Sequence, residues 1–197
     1  MKTYPVFAVT GGIGSGKTEV LKIIKELGFK VISCDELTHE LYQLRSVKKR
    51  IKQIFPSAVK GKLFLKVDKA EISKQAFSDE KKYSMLTSFL TELVFTTAIK
   101  KAKKNRAVTF IEVPLLFEMK KQDFFDGVLI IKRDKNLRIE SVKMRSKLSQ
   151  EEIEKRINRQ VDYDSLDTTK YIVISNDSDV NNLKEKVKNT LHALNLI

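Results

Sequence analysis

Eight consecutive residues near the start of the chain match the phosphate-binding pattern G-x-x-x-x-G-K-[ST]. They are Gly11, Gly12, Ile13, Gly14, Ser15, Gly16, Lys17 and Thr18. Glycines allow successive backbone N–H groups to turn toward phosphate oxygens, because no Cβ atom intervenes. Lys17 is placed to reach the β- and γ-phosphates of a nucleotide, and the Thr18 hydroxyl is placed to ligate Mg²⁺. The pattern predicts a nucleotide triphosphate site, and a glycine-rich turn without a ligand is the structural alternative.

The elements around this loop have the order that the motif requires. A short apolar run at 5–10 predicts a strand before the loop, and apolar residues at helical spacing from Val20 to Leu27 predict a helix that ends at Gly28. Similar patterns predict strands at 29–33, 107–111, 127–131 and 171–175, and helices at 36–50, 82–103, 135–147, from 149 onward and at the C-terminus. Strands that alternate with helices predict an α/β fold with a five-stranded, mainly parallel sheet and helices on both faces.

Two carboxylates follow predicted strands, at the sheet edge where ligands of such folds bind. Asp35 comes after the second strand and can accept the proton of a substrate hydroxyl as it attacks phosphorus. Its structural alternative is an N-cap of the helix beginning at Glu36, and the two roles are compatible. Glu112 ends the third strand, where a carboxylate acts on Mg²⁺ directly or through water. For Glu112 we favour a water-bridged role, with a structural acid as the alternative.

A basic segment between the fourth and fifth strands predicts a closing lid that places positive charge over the γ-phosphate and excludes water. Its cations are Lys143, Arg145, Lys147, Lys155, Arg156 and Arg159. A solvated basic face explains most of them equally well, but Arg145 stands out because a guanidinium can fork onto phosphate oxygens. Ser149 and Glu152 predict a capping box at the start of the second helix of this segment, with Leu148 and Ile153 as its hydrophobic staple.

Composition narrows the class of protein. The chain has 197 residues and a net charge of +13, but its lysines are spread over its whole length rather than clustered in a nucleic-acid module. The one cysteine, Cys34, excludes an intramolecular disulfide and suits a reducing compartment. No apolar run approaches the length of a membrane span. We expect a cytoplasmic protein without a membrane or specific nucleic-acid partner.

Taken together, these features resemble the dephospho-CoA kinase family over nearly the whole chain. The matching segments are 9–17, Val31-Ile32 with Asp35, Pro114–Glu118, the stretch from Arg145 through Arg156 to Gln160, and Ile174–Asn176. The resemblance implies one P-loop kinase domain over 1–197, in three parts. These are a nucleotide core (1–35, 105–134 and 168–197), a helical substrate-binding insert at about 36–104 and a lid at about 135–167.

The family resemblance also implies the reaction, which transfers the γ-phosphate of ATP, with Mg²⁺, to the ribose 3′-hydroxyl of dephospho-CoA. It implies that Asp35 acts as base, that Lys17 and Arg145 stabilise charge, and that Thr18 ligates Mg²⁺. Asp35, Glu112, Arg156 and Gln160 are the expected substrate-binding residues. The chain departs from the family pattern at Ser33, Glu112, Thr91-Glu92, Ser141 and Lys69.

Three other classes of protein compete with this interpretation. Another small-molecule P-loop kinase, acting on a nucleoside monophosphate or a small alcohol, would need the same loop and basic segment. A GTPase would carry N-K-x-D and D-x-x-G motifs, and the sequence contains neither. An ATP-dependent nucleic-acid-binding protein is suggested by charge alone and predicts strongly salt-dependent binding.

Overall fold

The computed structural model describes residues 4–62, 64–146 and 148–197. The chain divides into two compact units. The first unit comprises the chain up to Ser33 together with Ala102–Ile197, and the second comprises Cys34–Lys101. The proposed phosphate-binding loop belongs to the first unit.

The described residues form seven strands and eight α-helices. The strands are β1 (Val6–Thr10), β2 (Lys30–Ser33), β3 (Val59–Lys60), β4 (Lys66–Val67), β5 (Thr109–Glu112), β6 (Gly127–Lys132) and β7 (Ile172–Ser175). The helices are α1 (Lys17–Glu26), α2 (Cys34–Gln43), α3 (Arg45–Ile54), α4 (Lys69–Ser78), α5 (Glu80–Lys104), α6 (Lys135–Arg145), α7 (Gln150–Asn158) and α8 (Val180–Ala193). Short 3₁₀ turns lie at Pro56–Ala58 and Gln122–Phe124.

The first unit is built on a five-stranded sheet in the order β2-β5-β1-β6-β7. Each neighbouring pair is parallel, with Val9 opposite Glu112 and Leu129, and Ser33 opposite Glu112. The carboxyl ends of the strands therefore meet at one edge, as expected for a ligand site of an α/β fold. The predicted parallel α/β sheet is confirmed.

Both faces of this sheet are covered. Phe7, Val9 and Leu129 pack on one face with α1 and α8, in a cluster that includes Val20, Ile24, Val187 and Leu191. Ala8, Ile111 and Ile130 alternate with them along the strands and are also fully buried. Strands buried on both faces explain why these segments read as continuous apolar runs in the sequence.

The second unit has its own apolar core. It joins α3, the antiparallel β3–β4 hairpin, α4 and α5 through buried residues that include Ile51, Phe55, Val59, Ile72 and Leu86. The hairpin was not predicted, because strands of two residues are too short to show alternation.

One predicted helix is divided in two. The sequence predicts a continuous helix over 36–50, but α2 ends at Gln43 and α3 begins at Arg45. Leu44 between them is extended, with φ −68° and ψ 133°, and half exposed. The turn redirects the chain so that Val47 and Ile51 enter the core of the second unit. The prediction of one helix was wrong because this long-range packing overrides local spacing.

Candidate active site

The phosphate-binding loop follows β1 and leads directly into α1. The φ values of Gly11, Gly14 and Gly16 are 146°, 78° and 93°. Residues with a Cβ atom rarely adopt such backbone conformations. Gly16 is the N-cap of α1, and Ser15 N–H closes the turn on the Gly12 carbonyl at 3.2 Å. The loop thus presents the positive end of α1 in the arrangement that binds phosphate.

Lys17 and Thr18 begin this helix. The Lys17 ammonium donates to the carbonyls of Gly11 at 2.8 Å and Gly12 at 3.1 Å, so the cation lies against the loop. Thr18 is exposed in the first turn of α1. Its hydroxyl is an oxygen donor of the type that Mg²⁺ prefers.

The peptide groups of Ile13 are held by two side chains from the segment that the sequence predicts as a lid. Ile13 N–H donates to Gln160 Oε1 at 2.7 Å, and its carbonyl accepts from Arg138 Nε at 3.0 Å. Gln160 was expected to bind substrate, and in the structure its amide contacts the loop itself.

Asn176 holds the loop at a second point. It follows β7, is only 8% exposed, and donates from Nδ2 to the Ser15 carbonyl at 2.9 Å. A Cβ atom at Gly16 would collide with this amide, which explains the need for glycine there beyond its φ.

Tyr163 lies beneath the start of the loop. Its hydroxyl is 3.1 Å from the Thr10 hydroxyl, and both side chains are buried. Burial raises the pKa of Tyr163 to about 12, although the hydrogen bond to Thr10 opposes the rise. Tyr163 is therefore a neutral hydrogen-bonding group across the physiological range.

The segment Pro114–Glu118 supports this arrangement. Leu116 is fully buried, and the Phe117 ring packs edge-on against Tyr163 and Tyr171, at centroid distances of 6.0 and 5.2 Å. Glu118 Oε1 accepts from Val161 N–H at 2.8 Å. The segment thereby fastens the chain that carries Gln160 and Tyr163.

Glu112 ends β5 at the carboxyl edge of the sheet. Its side chain is 7% exposed, and Ser33 Oγ donates to Glu112 Oε2 at 3.2 Å. Ser33 stands where the family resemblance predicts an aspartate, and here a hydroxyl partners the carboxylate. A serine avoids the repulsion that a second buried carboxylate would create at this distance.

Asp35 belongs to the second unit, in the first turn of α2. The helix begins at Cys34 rather than Glu36, so the interpretation of Asp35 as an N-cap was wrong. Its side chain is exposed, and its backbone carbonyl lies 2.9 Å from His39 Nδ1. The carboxylate is therefore accessible to solvent.

The predicted basic residues are mainly on the surface. Arg145 ends α6 and Arg156 lies in the last turn of α7, and both are exposed. Lys155 pairs with Glu151 at 2.7 Å, while Lys147 lies outside the described residues. The capping box of Ser149 and Glu152 is confirmed, and Leu148 packs against the cluster that contains Ile153.

Four described residues that contact or support the loop were not predicted as site residues from the sequence. They are Arg138, Tyr163, Asn176 and, as the partner of Val161, Glu118. Arg138 alone carried a signal, because it stands beside Ile139 and Val142 on the buried side of an otherwise basic helix.

The sheet order and the G-x-x-x-x-G-K-T loop between β1 and α1 define a P-loop nucleotide-binding fold. The family model "Dephospho-CoA kinase" matches residues 5–182. The chain therefore belongs to the dephospho-CoA kinase family.

Individual relatives agree with this assignment. The chain is 30% identical over 195 residues to a dephospho-CoA kinase of Wolinella succinogenes, covering 95% of this chain and 93% of the relative. A crystal structure of TT1252 from Thermus thermophilus is 26% identical, with a TM-score of 0.81 over 98% of this chain and 99% of that one. A dephospho-CoA kinase from Campylobacter jejuni shares the fold, with a TM-score of 0.69 at 24% identity and 96% coverage of each chain. Among the described residues, no helix has the length and apolarity needed to cross a membrane.

Proposed function

We propose that this protein transfers the γ-phosphate of ATP to the ribose 3′-hydroxyl of dephospho-CoA, giving coenzyme A and ADP. The observation that carries the proposal is a complete P-loop, fastened by neighbouring side chains, in a chain whose match to the family extends over residues 5–182.

The loop and the start of α1 would bind the phosphates of ATP. Backbone N–H groups and the helix dipole attract the β- and γ-phosphates, and Lys17 adds a point charge. In the structure its ammonium donates to two loop carbonyls, so the positive charge lies against the loop. Arg145 would add positive charge from the end of α6 as charge spreads over the transferring group.

Mg²⁺ fits the donor types of this chain. The Thr18 hydroxyl is exposed at the start of α1, and the Glu112 carboxylate is a hard oxygen donor that can act through water. We propose that Thr18 ligates the ion and that Glu112 orients its water. When bound there, the ion would neutralise part of the negative charge on the phosphates.

Asp35 is proposed as the base. An exposed carboxylate can accept the proton of the 3′-hydroxyl while the oxygen forms its bond to phosphorus and the bond to the ADP oxygen breaks. The proton ends on Asp35 and passes to water after product release. We propose that Arg156 binds the anionic acceptor. Gln160 would connect the basic segment to the phosphate-binding loop through its hydrogen bond to Ile13. We also propose a cytoplasmic location and the division into core, insert and lid.

The test is ADP release from the purified protein with ATP and Mg²⁺ and one acceptor at a time. The acceptors are dephospho-CoA, AMP and CMP, beside a reaction without acceptor. We expect dephospho-CoA to stimulate release at least about 100-fold more than either nucleotide, since a specific acceptor site rejects ligands that leave its polar groups unpaired. Stimulation by AMP or CMP instead would identify a nucleoside monophosphate kinase.

A further inference from the structure

Ile13 of the phosphate-binding loop is held by three kinds of contact with α6, α7 and the residues just after α7. Its side chain packs against the cluster of Ile139, Val142 and Ile153, which α6 and α7 share. Its N–H donates a hydrogen bond to the Gln160 side chain, and its carbonyl accepts one from the Arg138 guanidinium. Hydrogen bonds therefore fix the peptide groups before and after Ile13.

Arg138 is unusual for a charged residue because it is only 7% exposed. Burial lowers its pKa, while Asp164, Tyr163 and Asp162 favour the charged form. The group nevertheless keeps its proton, since arginine stays charged in proteins. A permanent positive charge thus lies beside the loop.

The same residue sets the space available to two loop glycines. A Cβ atom at Gly12 would lie 2.6 Å from the Arg138 guanidinium carbon, and one at Gly14 would lie 3.0 Å from its backbone carbonyl carbon. Helix α6 therefore contacts the loop through the side chain and the backbone of one residue. This contact is as close as glycine permits.

We propose that Arg138 is a positioning residue for ATP. It fixes the carbonyl of Ile13 so that the N–H groups of the loop face the phosphates, and it supplies a buried positive charge next to them. The proposal rests on the proposed function only in taking ATP as the ligand of the loop. It assigns to α6 a role in nucleotide affinity that is separate from acceptor binding.

Substitution of Arg138 is expected to change the affinity of the protein for ATP. Arg138→Gln keeps an N–H donor but removes the charge, whereas Arg138→Lys keeps the charge but loses the rigid Nε–H bond to Ile13. Because hydrogen bonds to charged groups are among the stronger ones, we expect the Kd for ATP to rise about 10- to 100-fold in Arg138→Gln. Arg138→Lys should fall between this variant and the native protein.

The experiment measures Kd for ATP and ADP by calorimetry without acceptor, and then kcat and KM for both substrates. Lys135→Gln is the matched control, because it removes one positive charge from an exposed site on the same helix. We expect the control to stay within about twofold of the native protein. In the Arg138 variants, KM for ATP should rise while KM for dephospho-CoA stays within about twofold, because the contact is with the phosphate loop.

The Tm of each variant separates positioning from support of the fold. A variant with a lowered Tm but a native Kd for ATP would overturn the proposal, as would equal increases in KM for both substrates. If Arg138→Gln fails to fold, Arg138→Lys decides, and a native Kd in that variant contradicts the proposal. Nucleotide affinity is measured without acceptor, so failure of dephospho-CoA as a substrate leaves this test intact.

Discussion

The hydroxyls of Tyr163 and Thr10 lie 3.1 Å apart where β1 enters the phosphate-binding loop. Tyr163 is 3% exposed and Thr10 is fully buried, so each is the other's partner in a place that water does not reach. The bond joins the chain after α7 to the central strand of the sheet. Its removal should weaken the fold and loosen the base of the loop.

Tyr163→Phe removes this bond and retains the ring. We expect a loss of about 1 kcal/mol in the free energy of unfolding at pH 7, because the Thr10 hydroxyl stays buried without its partner. The pKa of Tyr163 is raised from 10.0 to about 12 in the folded protein, so its contribution is present below pH 10 and is lost as pH rises toward 12. Over this window the native protein should lose about 2–3 kcal/mol relative to the variant.

Urea unfolding at pH 8, 10 and 11 measures about half of this loss, because Tyr163 is only partly ionised in the folded protein at pH 11. Other titrating groups cancel between the two proteins. Tyr83→Phe controls for loss of a phenol at the surface, since Tyr83 is 52% exposed. A difference between native protein and Tyr163→Phe that does not change with pH would contradict the predicted burial effect.

Gly16 and Gly28 form a matched pair for testing the loop. Their φ values are 93° and 91°, but a Cβ atom at Gly28 meets nothing within 4 Å, whereas one at Gly16 collides with Asn176. Gly28→Ala should cost about 1–2 kcal/mol of stability from the left-handed conformation alone and leave ATP affinity unchanged. Gly16→Ala should lose more stability and nearly all ATP binding.

Thermal unfolding and ATP calorimetry on the two variants measure these effects. Equal losses in both would mean that backbone strain, and not the contact with Asn176, explains the glycine in the loop.

Asn176→Asp replaces the nitrogen atom that donates to the Ser15 carbonyl with an oxygen atom. The variant replaces an amide donor by a carboxylate, which would repel both that carbonyl and the phosphates proposed to bind the loop. We expect Kd for ATP to rise more than about 30-fold, and more in this variant than in Asn176→Ala. Asn182→Asp, at an exposed site in the first turn of α8, is the control for the added charge. A smaller effect of Asp than of Ala would contradict the electrostatic part of this prediction.

Asp35→Asn tests the proposed base. Proton transfer by a positioned group contributes about 10²- to 10⁴-fold, so kcat should fall by that factor with Kd for ATP nearly unchanged. Glu36→Gln is the control, because it neutralises the next exposed carboxylate of the same turn. Native kcat in Asp35→Asn would exclude Asp35 as base while leaving the family assignment intact.

Local patterns were sufficient to predict much of the fold. The P-loop between a strand and a helix, the buried strand at 127–131 and the capping box at Ser149 each occupy a few consecutive residues. Physical rules about glycine, burial and capping act within such segments, so sequence alone can reveal them.

Contacts between distant segments could not be predicted in this way. Arg138 meets Ile13 across 125 residues and Tyr163 meets Thr10 across 153. Arg138 shares a helical face with Ile139 and Val142, but no local pattern links it to Ile13 or links Tyr163 to Thr10. The break at Leu44 has the same origin, since only the packing of Val47 and Ile51 explains it. The roles of Asp35, Glu112 and Arg156 stay predictions.

The most direct test of the proposed reaction compares dephospho-CoA with its 3′-deoxy analogue as acceptors. ADP release and the phosphorus NMR spectrum of the product are followed together, with ATP and Mg²⁺ present. We predict one ADP for each coenzyme A formed, a new monoester signal from the 3′-phosphate, and release with the analogue no faster than without acceptor. Equal ADP release with the 3′-deoxy analogue, or a phosphate at another position of the product, would contradict the assignment of the 3′-hydroxyl as acceptor.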